Sequence, residues 1–192
     1  MESELPGHSV AVTAAVHIAP PAQPPEFKAL YDEHVDGVWR LLHRLGVPEA
    51  GLEDAVQEVF LIAHRQLPAF RGESSLKTWL GGIAVRIAKD VRRTFARKGS
   101  HEQPLETAAR FLQAPESLEE SVSQRQALTQ VLMLLEQLDE DQRTVFVCAE
   151  FEEMTAPEIS AATGVNLNTV YTRLRTARQH FNALVAKTGG TR

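Results

Sequence analysis

The sequence predicts an all-α protein, built as two small helical domains joined by a flexible linker. Three observations carry that expectation. Apolar residues recur at spacings of three and four over long stretches at both ends of the chain. No stretch sustains the alternation of a half-buried strand. Between Gly99 and Gln124 the periodicity fades into a segment holding two prolines, several serines and an acidic excess.

The first helix is expected from Glu26 to Leu45. Phe27, Leu30, Tyr31, Val35, Val38, Leu42 and Leu45 form its apolar stripe, and Gly46 stops it. The second spans Pro48 to Gln66, burying Leu52, Val56, Val59, Phe60 and Ala63, and Pro68 ends it. The third starts near Ser74 or Ser75, either of which can cap it, and runs to Lys98. Its apolar face is Leu76, Leu80, Ile83, Ala84, Ile87 and Val91. The linker allows a short helix around LETAARFLQ. Leu128, Val131, Leu132, Leu135 and Leu138 then mark a fourth helix. Asp139 with Gln142, and Thr155 with Glu158, each have capping-box spacing. Gly164 turns the chain, Asn166 caps the last helix, and Val170, Leu174, Ala177 and Phe181 line its inner face. The boundaries expected are a disordered tail over 1–25, a first domain over 26–98, an acidic linker over 99–124 and a second domain over 125–187.

Composition narrows the function classes. The net charge of -5 over 192 residues argues against a uniformly basic nucleic-acid binder. The charge is segregated, however. Residues 26–98 hold 12 Lys/Arg against 10 Asp/Glu, residues 125–153 two against seven, and residues 154–192 five against one. Such asymmetry fits local basic faces that meet polyanions. Cys148 is the only cysteine, which excludes an intrachain disulfide and fits a reducing, cytoplasmic setting. The apolar run VAVTAAVHIA follows Glu2 and Glu4 rather than positive charge, and is too short to span a membrane, so neither a signal peptide nor membrane insertion is expected. The seven histidines fall at no metal-ligand spacing, and no phosphate-binding glycine loop or nucleophile elbow occurs. No enzymatic activity, catalytic residue, metal or cofactor is expected.

Three constellations point to binding. TAPEISAATGVNLNTVYTRLRTARQHF has helix-turn-helix form. The open face of its second helix carries Asn168, Thr169, Thr172, Arg173, Arg175 and Arg178, the donors and acceptors a major groove requires. On the third helix Gly82, Arg86, Lys89 and Arg93 share a face, with Trp79 at its head; cations that follow phosphates and an aromatic that stacks on bases suit single-stranded or melting nucleic acid. Trp79 can equally close the three-helix core. On the second helix Asp54, Gln57, Glu58, Leu61 and Arg65 lie opposite the apolar stripe, a pattern open to protein docking or to plain solvation.

Two long stretches bring these together. EDAVQEVFLIAHRQLPAFRGESSLKTWLGGIAVRIAKDVRR resembles region two of the extracytoplasmic-function sigma factors of the sigma-70 family, and LDEDQRTVFVCAEFEEMTAPEISAATGVNLNTVYTRLRTARQHF resembles their region four. The resemblance implies a sigma factor that directs core RNA polymerase to specific promoters and helps melt the -10 element. It implies that Asp54, Gln57, Glu58, Leu61 and Arg65 dock on the β′ clamp helices of the polymerase core. The -10 strand would meet Phe70, Arg71, Gly72, Glu73, Ser74, Ser75, Lys77, Thr78, Trp79, Arg86, Lys89 and Arg93, the loop of this set forming a pocket for a flipped base. Asn166, Asn168, Thr169, Tyr171, Thr172, Arg173, Arg175 and Arg178 would read the -35 element. An anti-sigma factor is a further implied partner. The chain departs from the family pattern at Gly81 and Gly82, where bulky or basic residues are usual, and at Arg86, Asp139, Tyr171 and Thr176. Two other classes remain open: a sigma-mimicking protein that titrates an anti-sigma factor, and a stand-alone helix-turn-helix regulator.

Overall fold

The computed structural model describes residues 26–98 and 118–189. The expected tail over 1–25 and the linker through residue 117, with its LETAARFLQ helix, lie outside them. Seven α-helices follow in order: α1 (Phe27–Arg44), α2 (Glu49–Gln66), α3 (Leu76–Lys98), α4 (Leu118–Glu136), α5 (Glu140–Glu150), α6 (Ala156–Thr163) and α7 (Leu167–Gly189), with a 3-10 turn at Leu67–Ala69 after α2. No strand occurs among the described residues. Helix α4 begins at Leu118, inside the stretch read as linker. Its first turns, LEESVSQ, hold only Leu118 and Val122 as apolar residues, too few for periodicity to reveal a helix.

The breakers act where expected. The Ser75 hydroxyl accepts from the Thr78 amide at 3.0 Å, which makes Ser75 the cap of α3. Thr155 and Glu158 form a full capping box on α6. Gly164 adopts a left-handed φ of 71° at the end of α6. The Asn166 side chain accepts from the Asn168 amide at 2.9 Å. The other expected box is only half made. Asp139 accepts from the Gln142 amide, but the Gln142 side chain turns away to meet His180 Nδ1 at 3.0 Å.

Helices α1, α2 and α3 pack as one unit around Leu30, Leu42, Leu45, Leu52, Val59 and Leu80. Helices α5, α6 and α7 form the second around Val145, Val147, Ile159 and Val170. Burying each such side chain stabilises by roughly 1.5–3 kcal/mol. Cys148 is fully buried, and burial pushes its thiol up to about 12, so it is chemically quiet.

The two units also pack on each other, with α3 against α6. Beyond apolar contact, the joint is polar. The α1 carbonyl of Arg44 accepts from Arg143 Nε of α5 at 2.6 Å, and the Leu45 carbonyl accepts from Arg92 Nη1 of α3. Two orphan carbonyls at the end of α1 are thereby satisfied, one of them by the other unit. Gly46 makes room for this: a Cβ there would stand 2.5 Å from the Arg143 guanidinium. Arg92 reaches further, to Glu140 Oε1 at 2.9 Å.

His43 lies beside this joint, its ring centroid 5.0 Å from that of Trp39. Burial lowers its pKa below the ordinary 6.5; Glu49 opposes, while Arg143 and Arg44 add to the lowering. The folded chain therefore binds fewer protons here than the unfolded chain, and stability is lost as pH falls through 6.5. The melting temperature should drop from pH about 7 to about 5.5, with a shallower slope in His43→Gln. Parallel slopes in the two proteins, measured by circular dichroism, would count against this assignment.

Candidate nucleic-acid and protein interfaces

Helix α2 turns Val56, Val59, Phe60 and Ala63 inward, so residues half a turn away must face solvent. Asp54, Gln57, Glu58, Leu61 and Arg65 are all exposed, and Leu61 leaves 51% of its surface uncovered. Beside them a groove of about 540 Å³ separates α2 from α3, lined by Ile87, Val91 and Phe95 and bordered by Asp54, Glu58 and Asp90. An exposed leucine flanked by acids above an apolar groove is suited to a protein partner.

The loop after α2 turns at a glycine. Gly72 takes a φ of 71°, which a side chain would strain. Phe70 and Trp79 stack at its base, centroids 5.0 Å apart and tilted by 45°. Trp79 is half-buried, packed against the core on one side. It therefore serves the core and borders the loop, combining the two readings the sequence left apart. Ser75 and Thr78 are engaged in the cap of α3, their hydroxyls 2.9 Å apart. Arg71 and Glu73 point outward, and Ser74 is half-buried.

The face of α3 is not open along its whole length. Gly82 is buried beneath Ala162 of α6, whereas Arg86, Lys89 and Arg93 are exposed. Arg86 donates to the Gly82 carbonyl at 3.1 Å, and Arg93 pairs with Asp90 at 3.2 Å. Arg86 and Lys89 line a small cleft of about 60 Å³ shared with Arg92, Glu140, Asp141 and Arg173. Lys77, lower on the same helix, lies 3.5 Å from Glu152. Glu152 also faces Arg44 at 3.7 Å, with 10% of its side chain exposed. Burial raises the Glu152 carboxyl above its ordinary value, against the opposing pull of Lys77, Arg44 and Arg40. Arg40 and Arg44 were not singled out from the sequence. Their spacing of four on α1 was the available signal, and only the fold brings them to Lys77.

Asn166, just before α7, and Asn168, Thr169, Tyr171, Thr172, Arg175 and Arg178 on it are exposed, and Arg173 is half-buried. Two of the expected groove donors are held by α5. Arg173 pairs with Asp141 at 2.5 Å, and Arg178 with Glu150 at 2.7 Å. The Thr172 hydroxyl donates back to the Asn168 carbonyl. Arg175 and Tyr171 project side by side from the uncovered turn, Tyr171 with 55% of its surface exposed.

Comparison with known proteins bears on this arrangement. Residues 30–98 match Sigma-70 region 2 and residues 128–181 match Sigma-70, region 4. The ECF RNA polymerase sigma-E factor of Escherichia coli K12 is 33% identical over 142 residues, covering 69% of this chain and 73% of that protein. The RNA polymerase sigma factor NccH of Alcaligenes xylosoxydans xylosoxydans is 28% identical over 163 residues, covering 83% and 86%. Among solved structures, the fold is similar to CnrH in complex with the cytosolic domain of CnrY, with a TM-score of 0.60 and 24% identity over 84% of this chain and 88% of that one. It is also similar to the sigma factor RpoE in complex with the anti-sigma factor NepR from Bartonella quintana, with a TM-score of 0.61 and 19% identity over 83% and 96%. Among the described residues no helix is long and apolar enough to cross a membrane.

Proposed function

The chain belongs to the extracytoplasmic-function sigma factors of the sigma-70 family, which act in transcription initiation, and on that premise we propose that it directs core RNA polymerase to a specific set of promoters and helps melt their -10 element. It acts by binding in the cytoplasm and carries out no chemistry of its own. The observation that supports this most is the loop at Phe70–Ser75, which turns at Gly72 and has the Phe70–Trp79 pair beside it. A base leaving the duplex loses a few kcal/mol of stacking, which an aromatic wall and polar loop can offset. Arg71, Glu73 and Ser74 supply hydrogen-bonding groups, and Lys77, Arg86, Lys89 and Arg93 supply charge for the strand's phosphates. Asp54, Gln57, Glu58, Leu61 and Arg65 dock on the clamp helices. The exposed side of α7, from Asn166 through Arg178, enters the major groove of the -35 element. Two weak contacts on one chain raise each other's effective concentration. Residues 26–98, 99–124 and 125–187 act as the first DNA-binding unit, tether and second unit. An anti-sigma factor, such as the NepR that is bound to RpoE of Bartonella quintana, is the partner we expect to hold the chain inactive.

The test is transcription in vitro with purified core polymerase and the DNA upstream of the chain's own gene. A discrete transcript that depends on the chain is expected. Trp79→Ala should lower its yield about tenfold, since stacking contributes roughly 1–3 kcal/mol per base. Trp79→Phe, which keeps a π-face, should recover most of it. Arg173→Ala should lower yield on the same template through the -35 contact. Core binding with no transcript from any genomic promoter library would favour the sigma-mimicking alternative. Tight duplex binding without polymerase would favour the stand-alone regulator.

A further inference from the structure

The polar residues of α7 divide into two flanks and a crest. At 3.6 residues per turn, each residue advances about 100° around the helix axis. Val170, Leu174 and Ala177 mark the buried side. Arg173 and Arg178 are five residues apart and so stand about 140° from each other, one on either flank of that side. Helix α5 packs beneath and holds both, through Asp141 on Arg173 and Glu150 on Arg178. The side farthest from the core carries Asn168, Thr172, Arg175 and Gln179, with Tyr171 one turn before Arg175 and beside it.

Several groups near the crest are engaged by the helix itself. The Thr172 hydroxyl donates to the Asn168 carbonyl at 3.0 Å, and the Thr176 hydroxyl donates to the Thr172 carbonyl at 3.0 Å. Arg175 and Tyr171 are the longest side chains of the set. Among the described residues neither meets an ionic, hydrogen-bonding or ring partner. Tyr171 leaves more than half of its surface uncovered. Four residues apart, the two stand about 6 Å from each other along the axis, fewer than about two steps of the base-pair stack.

In a major groove the flanks of a helix meet the phosphates on either wall, and its crest meets the base edges on the floor. An unpartnered guanidinium suits the O6 and N7 acceptors of guanine, and an exposed aromatic ring suits the C5-methyl group of thymine. We infer that Tyr171 and Arg175 are the specificity-determining pair of α7: Arg175 selects a guanine, Tyr171 selects a thymine within two base pairs of it, and Arg173 and Arg178 grip phosphates whatever the sequence. The inference rests on the -35 reading of α7 and adds which bases it chooses, and by which atoms.

Holoenzyme assembled from the full chain and core polymerase is first used to select binders from promoters randomised across the -35 element. We expect enrichment of a guanine and a thymine within two base pairs. The recognised atoms are then removed one at a time. Deoxyuridine lacks the methyl group of thymine and should weaken wild-type binding about fourfold. 7-Deazaguanine lacks the N7 acceptor and should weaken it about fivefold or more. Tyr171→Ala should abolish the first penalty and keep the second, and Arg175→Ala should do the reverse. Tyr171→Phe should keep both, because the ring makes the contact. Arg173→Ala and Arg178→Ala should weaken all sequences alike, keep both penalties, and each lower the slope of log affinity against log salt by about one. Penalties that persist in Tyr171→Ala and Arg175→Ala, or that vanish in Arg173→Ala, overturn the assignment and leave the -35 reading standing. So does enrichment of neither base in a selection that still yields a -35 preference. A wild-type selection with no -35 preference at all overturns both.

Discussion

Replacing Leu61 with Glu should lower affinity for core RNA polymerase by about 30-fold or more while leaving the fold intact. Leu61 is half exposed on α2 and is flanked by Asp54, Gln57, Glu58 and Arg65, all facing solvent. A buried apolar anchor at the centre of an interface typically contributes about 2 kcal/mol or more on truncation, and an added carboxylate in the same place must also be desolvated. The free protein bears neither effect, because the side chain already stands in water, so its melting should shift by no more than about 0.5 kcal/mol equivalent. Competition for core polymerase against the wild-type chain measures the first quantity and thermal melting the second. Unchanged competition would remove α2 from the polymerase interface. Weakened competition with an equal loss of stability would make Leu61 a structural residue.

The largest loss of stability is expected from Phe146→Ala. Phe146 is 6% exposed at the centre of the second unit. Its ring lies 4.7 Å from that of Phe181 on α7 and 6.4 Å from that of Phe151. It thus joins α5 both to the proposed recognition helix and to the loop that carries Glu152 and Met154. Removing a buried phenylalanine costs about 3–5 kcal/mol through lost transfer energy and the cavity left behind. In a chain of this size that corresponds to a fall of about 10 °C in melting temperature. Phe146→Leu, which retains most of the volume, should cost less than half as much. Equal losses in the two variants would show that the ring contacts, rather than filled volume, set the stability here.

Much of the fold was legible because helix ends are written locally. Pro68, Ser75, Thr155, Gly164 and Asn166 each act on the few residues beside them, and each ends or starts a helix where the sequence placed it. The stripes were legible for the same reason, since a 3.6 period is visible along one strand of text. What stayed hidden depends on residues far apart. Arg173 and Arg178 have the spacing of groove donors, but nothing near them announces Asp141 and Glu150, which arrive only when α5 packs on α7. By spacing alone Gly82, Arg86, Lys89 and Arg93 are equals on one face of α3. The structure divides it, because Gly82 lies under Ala162 while the other three remain exposed. Gly81 and Gly82 stood out as departures from the pattern the chain resembles. A Cβ at either would stand in ordinary contact with Ala162 of α6 or with Met154, so much of what lies against them comes from the second unit rather than from α3.

The cap on α1 has a consequence in time. Its donor, Arg143, stands 99 residues beyond the Arg44 carbonyl it satisfies. A ribosome adding about 5–20 residues per second needs about 5 to 20 seconds to cover that distance. For that interval the nascent N-terminal half has its helices but lacks the arginine, the acids and α6 that later close over it, and water must serve the open carbonyl. Every newly made molecule therefore begins life in the uncovered form and acquires its cover from its own last third.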